Sequence, residues 1–154
     1  MMAVILAGGV GARLKPFTMN IPKPLLPLGD TPILEVDIKQ LVSAGVDRIV
    51  LTLAHMPYLL SAWIGDGKRF GASIEYTTED SPLGTAGPLL GVSDLEDDFL
   101  VMNGDLLTTL DYAALFRVHR EHDAWGTIVL SNREVKIDFG VVVSDELVSR
   151  HSGS

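Results

Sequence analysis

The apolar run Val4-Ile5-Leu6-Ala7 stops at Gly8-Gly9-Val10-Gly11 and continues through Ala12 to Arg13. An apolar run this short, bounded by glycines, reads as a buried strand. Glycines remove side chains, so backbone can approach a ligand closely. Consecutive N–H groups in such a turn form a nest for an anion. Arg13 can add a charge-assisted, bidentate contact to phosphate. No Gly-Lys-Ser/Thr follows, so this is not a P-loop. Leu14 stands where the dinucleotide fingerprint has its third glycine, so that motif is excluded too. Pro16, Pro22, Pro24 and Pro27 predict an extended, kinked chain over residues 15–29.

Further along, strands and helices alternate. Thr31 and Pro32 predict a helix start, with Thr31 as cap and Pro32 first in the helix. Leu34, Ile38, Leu41 and Val42 then share a face, and Gly45 closes the helix. Arg48–Ala54, Ser73–Thr77 and Phe99–Asn103 read as strands. Pro57–Ile64 reads as a helix ending at Gly65, and Gly84–Val92 as a helix capped by Thr85. Asp111–His122 reads as a helix capped by Asp111. Gly126–Ser131 and Phe139–Val143 read as further strands. This alternation predicts an α/β fold, a mostly parallel sheet flanked by helices. Right-handed crossovers put every strand's carboxyl end on one edge, where ligands bind at the switch in strand order. Gly8–Arg13 and Gly104-Asp105 both follow strands and so meet at one rim.

At 154 residues, 47% of them hydrophobic and 21% charged, the chain predicts a single domain spanning 1–154. It contains no cysteine, which excludes disulfides, cysteine-ligated metal and thiol catalysis. No apolar run approaches the roughly 18–20 residues of a membrane span, and residues 1–7 do not resemble a signal peptide. A cytoplasmic protein without a membrane partner is expected. The net charge is -8, yet residues 1–29 hold Arg13, Lys15 and Lys23 and no acid. A small basic pocket in an acidic chain suits a small anion and not a nucleic acid.

Two further positions carry chemistry. Lys23 stands between Pro22 and Pro24, which restrict where its amine reaches; a preorganised lysine suits a phosphate in a transition state. Asp105 follows an expected strand and Gly104, and one such aspartate can hold Mg2+ that keeps waters and phosphate oxygens. The small residues of Glu79–Gly87 would let a base or sugar lie against backbone. Taken singly, each also has a plain reading: a flexible turn, a solvated lysine, a turn aspartate, an ordinary loop. His119 and His122 read as a solvated face, His55 as a possible substrate contact at the ligand edge, and Trp63 and Trp125 as packing residues.

Together, Leu6–Leu14, Pro22–Gly29, Leu83–Gly87 and Asn103–Asp105 resemble the sugar-1-phosphate nucleotidyltransferases, the nucleotide-sugar pyrophosphorylases. The opening Gly-Gly-x-Gly-x-Arg-Leu-x-Pro block, followed by Pro-Lys-Pro-Leu-Leu-Pro, carries most of that likeness. The resemblance implies a Rossmann-like fold, Mg2+ as cofactor, and a nucleoside triphosphate and a sugar 1-phosphate as substrates. It implies that Leu6, Ala7, Gly8, Gly9 and Gly11 cradle the nucleotide and that Arg13 holds the departing pyrophosphate. Lys23 would meet the reacting phosphates, Asp105 would bind Mg2+, Glu79, Gly84 and Thr85 would sit by the base, and Gly140 would line the sugar side. The base leans to guanine. The family's Glu-Lys-Pro motif and second metal-binding aspartate have no counterpart here. The expectation is therefore an incomplete domain with a divergent or non-native tail over 144–154, binding nucleotide better than it turns over and prone to self-association through exposed strand surface. Two other functions stay open: a nucleotide-sugar binding module without turnover, and nucleotidyl transfer to a non-sugar phosphorylated acceptor.

Overall fold

The computed structural model describes residues 1–78, 84–122 and 124–132. The expected strand Phe139–Val143, the site candidates Glu79 and Gly140, and the tail 144–154 lie outside the described residues. The chain forms two compact units, Met1–Asp123 and Ala124–Ser154. In the second unit, residues 124–132 contain no helix or strand. The strand expected over Gly126–Ser131 does not form; Ile128 and Leu130 are exposed, so the alternation has no apolar face to bury.

The first unit is built on four parallel strands, β1 (Met2–Leu6), β4 (Arg48–Leu53), β5 (Ser73–Thr78) and β6 (Phe99–Asn103), in the order β5-β4-β1-β6. Strand β1 pairs on both sides, Leu6 standing level with Thr52 of β4 and with Asn103 of β6. Helices α1 (Ile33–Ser43), α2 (Pro57–Ile64) and α3 (Tyr112–Glu121) supply Leu34, Ile38, Leu41, Leu60, Ile64, Tyr112 and Phe116 to the main apolar cluster with Ile5, Ile49 and Leu51. A smaller cluster, Met2, Val4, Val50 and Val92, occupies the other face. Asp111 caps α3 as expected, its carboxylate accepting the Ala114 N–H at 2.9 Å.

Two helix starts differ from the sequence expectation. Thr31 and Pro32 form β3, a two-residue strand antiparallel to β2 (Pro27–Leu28), and α1 begins only at Ile33 without a side-chain cap. The cause is a two-residue Gly29-Asp30 turn, with Gly29 at φ +69, which closes a hairpin before the helix can start. Over Gly84–Val92 the chain forms a 3-10 turn at Gly87–Gly91 and no α-helix, and Thr85 does not cap it. Five residues bracketed by glycines are too few for an α-helical nucleus. The proline-rich stretch is kinked as expected, folding into 3-10 turns at Phe17–Met19 and Lys23–Leu25.

Trp63 does not serve the core. It is half-exposed, and its indole N–H donates to Glu35 Oε1 at 2.7 Å. The Arg69 guanidinium donates to the same oxygen at 2.7 Å. Burial pushes the Glu35 carboxyl up, but these two donors and the Arg69 charge hold it below its ordinary range. Trp125 is fully exposed and packs on nothing among the described residues.

The buried face of α1 carries one group that does not belong to an apolar core. Asp37 has no exposed surface, and neither carboxylate oxygen has a hydrogen-bond partner among the described residues. It sits at helical spacing with Leu34, Ile38 and Leu41. Burial, and then the charge of Asp105, push its carboxyl up to about 7. The fold therefore holds a proton that the unfolded chain releases near 3.8. That linkage is complete below the unfolded value and is lost as pH climbs to about 7. In chemical denaturation with chelator present, Asp37→Asn should gain stability over the natural chain as pH rises from 4 to 7, by on the order of 4 kcal/mol, then level off. A stability difference that does not vary with pH would show that Asp37 ionises normally.

Candidate functional site

At the carboxyl edge of the sheet a cavity of about 630 Å3 opens over the ends of β4, β1 and β6. That volume lies within the range of small-molecule sites. The chain runs from β1 outward to β4 and β5, then crosses back to place β6 on the other side of β1. The reversal makes β1–β6 the switch point, where loops leaving the two strands diverge and leave a crevice.

The first wall is the Gly8–Leu14 loop. Gly11 holds φ +60, and its carbonyl accepts from the Thr18 hydroxyl at 2.8 Å and the Leu14 N–H at 2.9 Å. A Cβ at Gly11 would lie 2.8 Å from Thr18 Cγ2 and 3.2 Å from Lys23 Cβ. The missing side chain thus lets the loop lie directly on the segment that carries Lys23. Thr18 is buried and clamps the two together.

The opposite wall follows β6. The Gly104 N–H donates to Leu6 O at 2.9 Å, extending the ladder one step past β6. A Cβ at Gly104 would stand 3.1 Å from Ile5 Cγ2 and 3.3 Å from Ala7 Cβ, so glycine permits the close approach. Asp105 is thereby held beside the loop, where its carboxylate forms an ion pair with the Lys23 ammonium. The two residues are 82 positions apart in sequence. Both are about one-third exposed, so the pair faces the cavity without being sealed from a ligand.

Leu6, Ala7, Gly8, Gly9, Gly11, Arg13, Lys23, Gly84, Thr85 and Asp105 all line this cavity. His55 does not. His119 lies beside Asp98 at 3.5 Å, where Arg120 also pairs, away from the cavity. Sequence reasoning missed Thr18, Thr52, Ala54 and Pro88. Thr52 could have been noticed as the one hydroxyl in the apolar Ile49–Leu53 run, placed at the strand's carboxyl end.

Among the described lining residues, Arg13 and Lys23 are cationic and Asp105 alone is anionic, so the cavity favours an anion. Asp105 also suits a hard divalent cation such as Mg2+: it offers carboxylate oxygens, and the Lys23 ammonium already places a positive charge against them. No cluster of three or more potential metal-binding side chains occurs among the described residues. Such a cation would thus be held by Asp105, with phosphate oxygens and water completing its shell.

The "Nucleotidyl transferase" family matches residues 2–151. Among curated relatives, the mannose-1-phosphate guanylyltransferase of Mycobacterium tuberculosis is 38% identical over 146 residues, covering 94% of this chain and 41% of the relative. The mannose-1-phosphate guanylyltransferase catalytic subunit beta of Xenopus tropicalis is 38% identical over 148 residues, covering 93% and 41%. This chain thus spans about two-fifths of the length of these relatives. Among solved structures, a putative glucose-1-phosphate thymidylyltransferase from Bacillus anthracis superposes with a TM-score of 0.72 at 28% identity, covering 79% of this chain and 51% of the other. HddC from Yersinia pseudotuberculosis, complexed with GMP-PN, gives 0.66 at 30% identity, covering 77% and 53%. With the family match running through both cavity walls and nearly the whole sequence, the chain belongs to the nucleotidyl transferase family.

Proposed function

We propose that the cavity binds a nucleoside triphosphate and that the chain carries the nucleotide-binding half of a sugar-1-phosphate guanylyltransferase. The observation that carries this reading is the convergence of the glycine loop, Arg13 and the Lys23–Asp105 pair on one cavity at the strand switch. The choice of guanine and of a mannose-type sugar is supported by the names of the curated relatives.

In this reading the loop N–H groups and Arg13 take the β- and γ-phosphates, and Lys23 meets the α-phosphate. An oxygen of the sugar 1-phosphate attacks the α-phosphorus in line. The new P–O bond forms as the bond to the β-phosphate oxygen breaks, and pyrophosphate leaves. Mg2+, when held at Asp105, offsets negative charge on the phosphates. Lys23 adds a positive charge from a backbone that Pro22 and Pro24 restrict, close to where charge develops. Bound phosphate would compete with the Asp105 carboxylate for the Lys23 ammonium and so loosen the ion pair.

One observation favours a second reading, binding without turnover: Asp105 is the only acidic side chain lining the cavity among the described residues. Pyrophosphate release separates the two. With GTP, mannose 1-phosphate and Mg2+, a transferase forms GDP-mannose and pyrophosphate in equal amounts, whereas a binding module forms neither. If turnover occurs, Lys23→Ala should lower kcat by about 100-fold or more.

Binding is tested by thermal shift with five nucleoside triphosphates. A ligand at about 100 times its Kd stabilises by about 2.7 kcal/mol. Selective stabilisation by GTP, reduced in Lys23→Ala, is the expected result; no shift with any nucleotide would refute the reading. Gly11→Ala should lose about 1–2 kcal/mol of stability from its left-handed backbone alone, and nucleotide affinity with it. Denaturation and titration of the same preparation measure both.

A further inference from the structure

Register places four side chains in one row across the carboxyl end of the sheet: Asn103 of β6, Leu6 of β1, Thr52 of β4 and Thr77 of β5. Residues level with one another in a parallel ladder share a face. This is the face of the smaller cluster, which contains Leu6, Val4 and Val50. Three of the four are polar, beside the apolar patch that Val4, Val50 and Leu6 form; toward the other end the same face carries Arg48 and Glu75, paired at 2.9 Å. Asn103 is exposed and Thr77 is partly buried. Thr52 has no exposed surface, and its hydroxyl has no hydrogen-bond partner among the described residues.

A buried hydroxyl without a partner is costly, and valine would fill the same volume without that cost. Thr52 is nevertheless a lining residue of the cavity, with Leu6, Ala54 and Pro88. Its place along the row decides which part of a ligand it meets. The ionic end of the cavity lies beyond β6, at Asp105 and Lys23. Thr52 stands two strands from β6, about 10 Å across the sheet. A triphosphate seated at the ionic end would extend its nucleoside across the rest of the cavity, toward β4 and the Gly84–Pro88 wall. The atoms arriving over Thr52 are then those of the base.

We infer that the Thr52 hydroxyl is a base-reading group: it lines the cavity without a partner among the described residues and can hydrogen-bond an edge of the nucleobase. This rests on the nucleotide reading above and adds a specificity residue to it. The hydroxyl can donate or accept, so it can engage a ring nitrogen, a carbonyl or an amino group. A base that engages the hydroxyl gains a hydrogen bond, and a base that cannot reach it leaves the hydroxyl buried and unpaired.

The test compares Thr52→Val and Thr52→Ser with the natural chain. Calorimetric titration uses the nucleoside triphosphate selected by the thermal panel, and inorganic tripolyphosphate, which has phosphates and no base. Urea denaturation of each protein monitors folding. The expected result is that Thr52→Val is at least as stable as the natural chain, binds the nucleotide about tenfold more weakly, and binds tripolyphosphate unchanged. Thr52→Ser keeps nucleotide affinity within about threefold. Equal nucleotide affinity in Thr52→Val overturns the inference, as does an equal loss for nucleotide and tripolyphosphate. Failure of the natural chain to bind any nucleotide overturns the underlying reading instead, so the two failures are told apart.

Discussion

Pairing of β1 on both edges is the constraint on which the rest of the structure depends. Met2, Ala3, Val4 and Ile5 have no exposed surface, because neighbouring strands cover both edges and side chains cover both faces. A strand buried in this way must be apolar throughout, and its run must end where the sheet ends. The glycine loop begins at that point. Placing β6 on the far side of β1 from β4 then brings the second wall alongside, and the Gly104 N–H fixes its height against Leu6. The cavity thus follows from strand order and two close approaches at glycine, with little help from the outer helices.

The same geometry joins charges that are far apart in sequence. Lys23 reaches the cavity on a segment clamped to Gly11 by Thr18, and Asp105 reaches it on the end of a buried strand. Both are carried by backbone that is fixed elsewhere, so neither must be ordered when a ligand arrives. The net charge of -8 has little bearing here, because Arg13 and Lys23 outnumber Asp105 among the described residues that line the cavity.

Much of this was legible in the sequence for physical reasons. The short apolar runs at Val4 and Ile49 read as buried strands because glycines or β-branched residues mark them, and Pro57–Ile64, Phe99–Asn103 and the Asp111 cap were readable from their boundaries. The Gly29-Asp30 hairpin was not read, because Thr31-Pro32 mimics a helix start and only the partner strand reveals otherwise. Pattern reading also missed Asp37, Thr18 and Thr52. Asp37 and Thr18 matter through what surrounds them, which spacing along the chain does not record, whereas Thr52 left one trace, a hydroxyl in an apolar run. The glycine loop, Lys23 and Asp105 were found because their chemistry shows in residue type and in position after a strand.

The central claim is that the Gly8–Arg13 loop receives the phosphates of a nucleotide at the β1–β6 crevice. Backbone amide hydrogen exchange, with and without GTP and Mg2+, tests it most directly. Slower exchange is expected at residues 8–13, with a smaller change at 103–105, and none on the far edge of α2. Unchanged exchange at residues 8–13 under saturating nucleotide, with protection elsewhere, would contradict it.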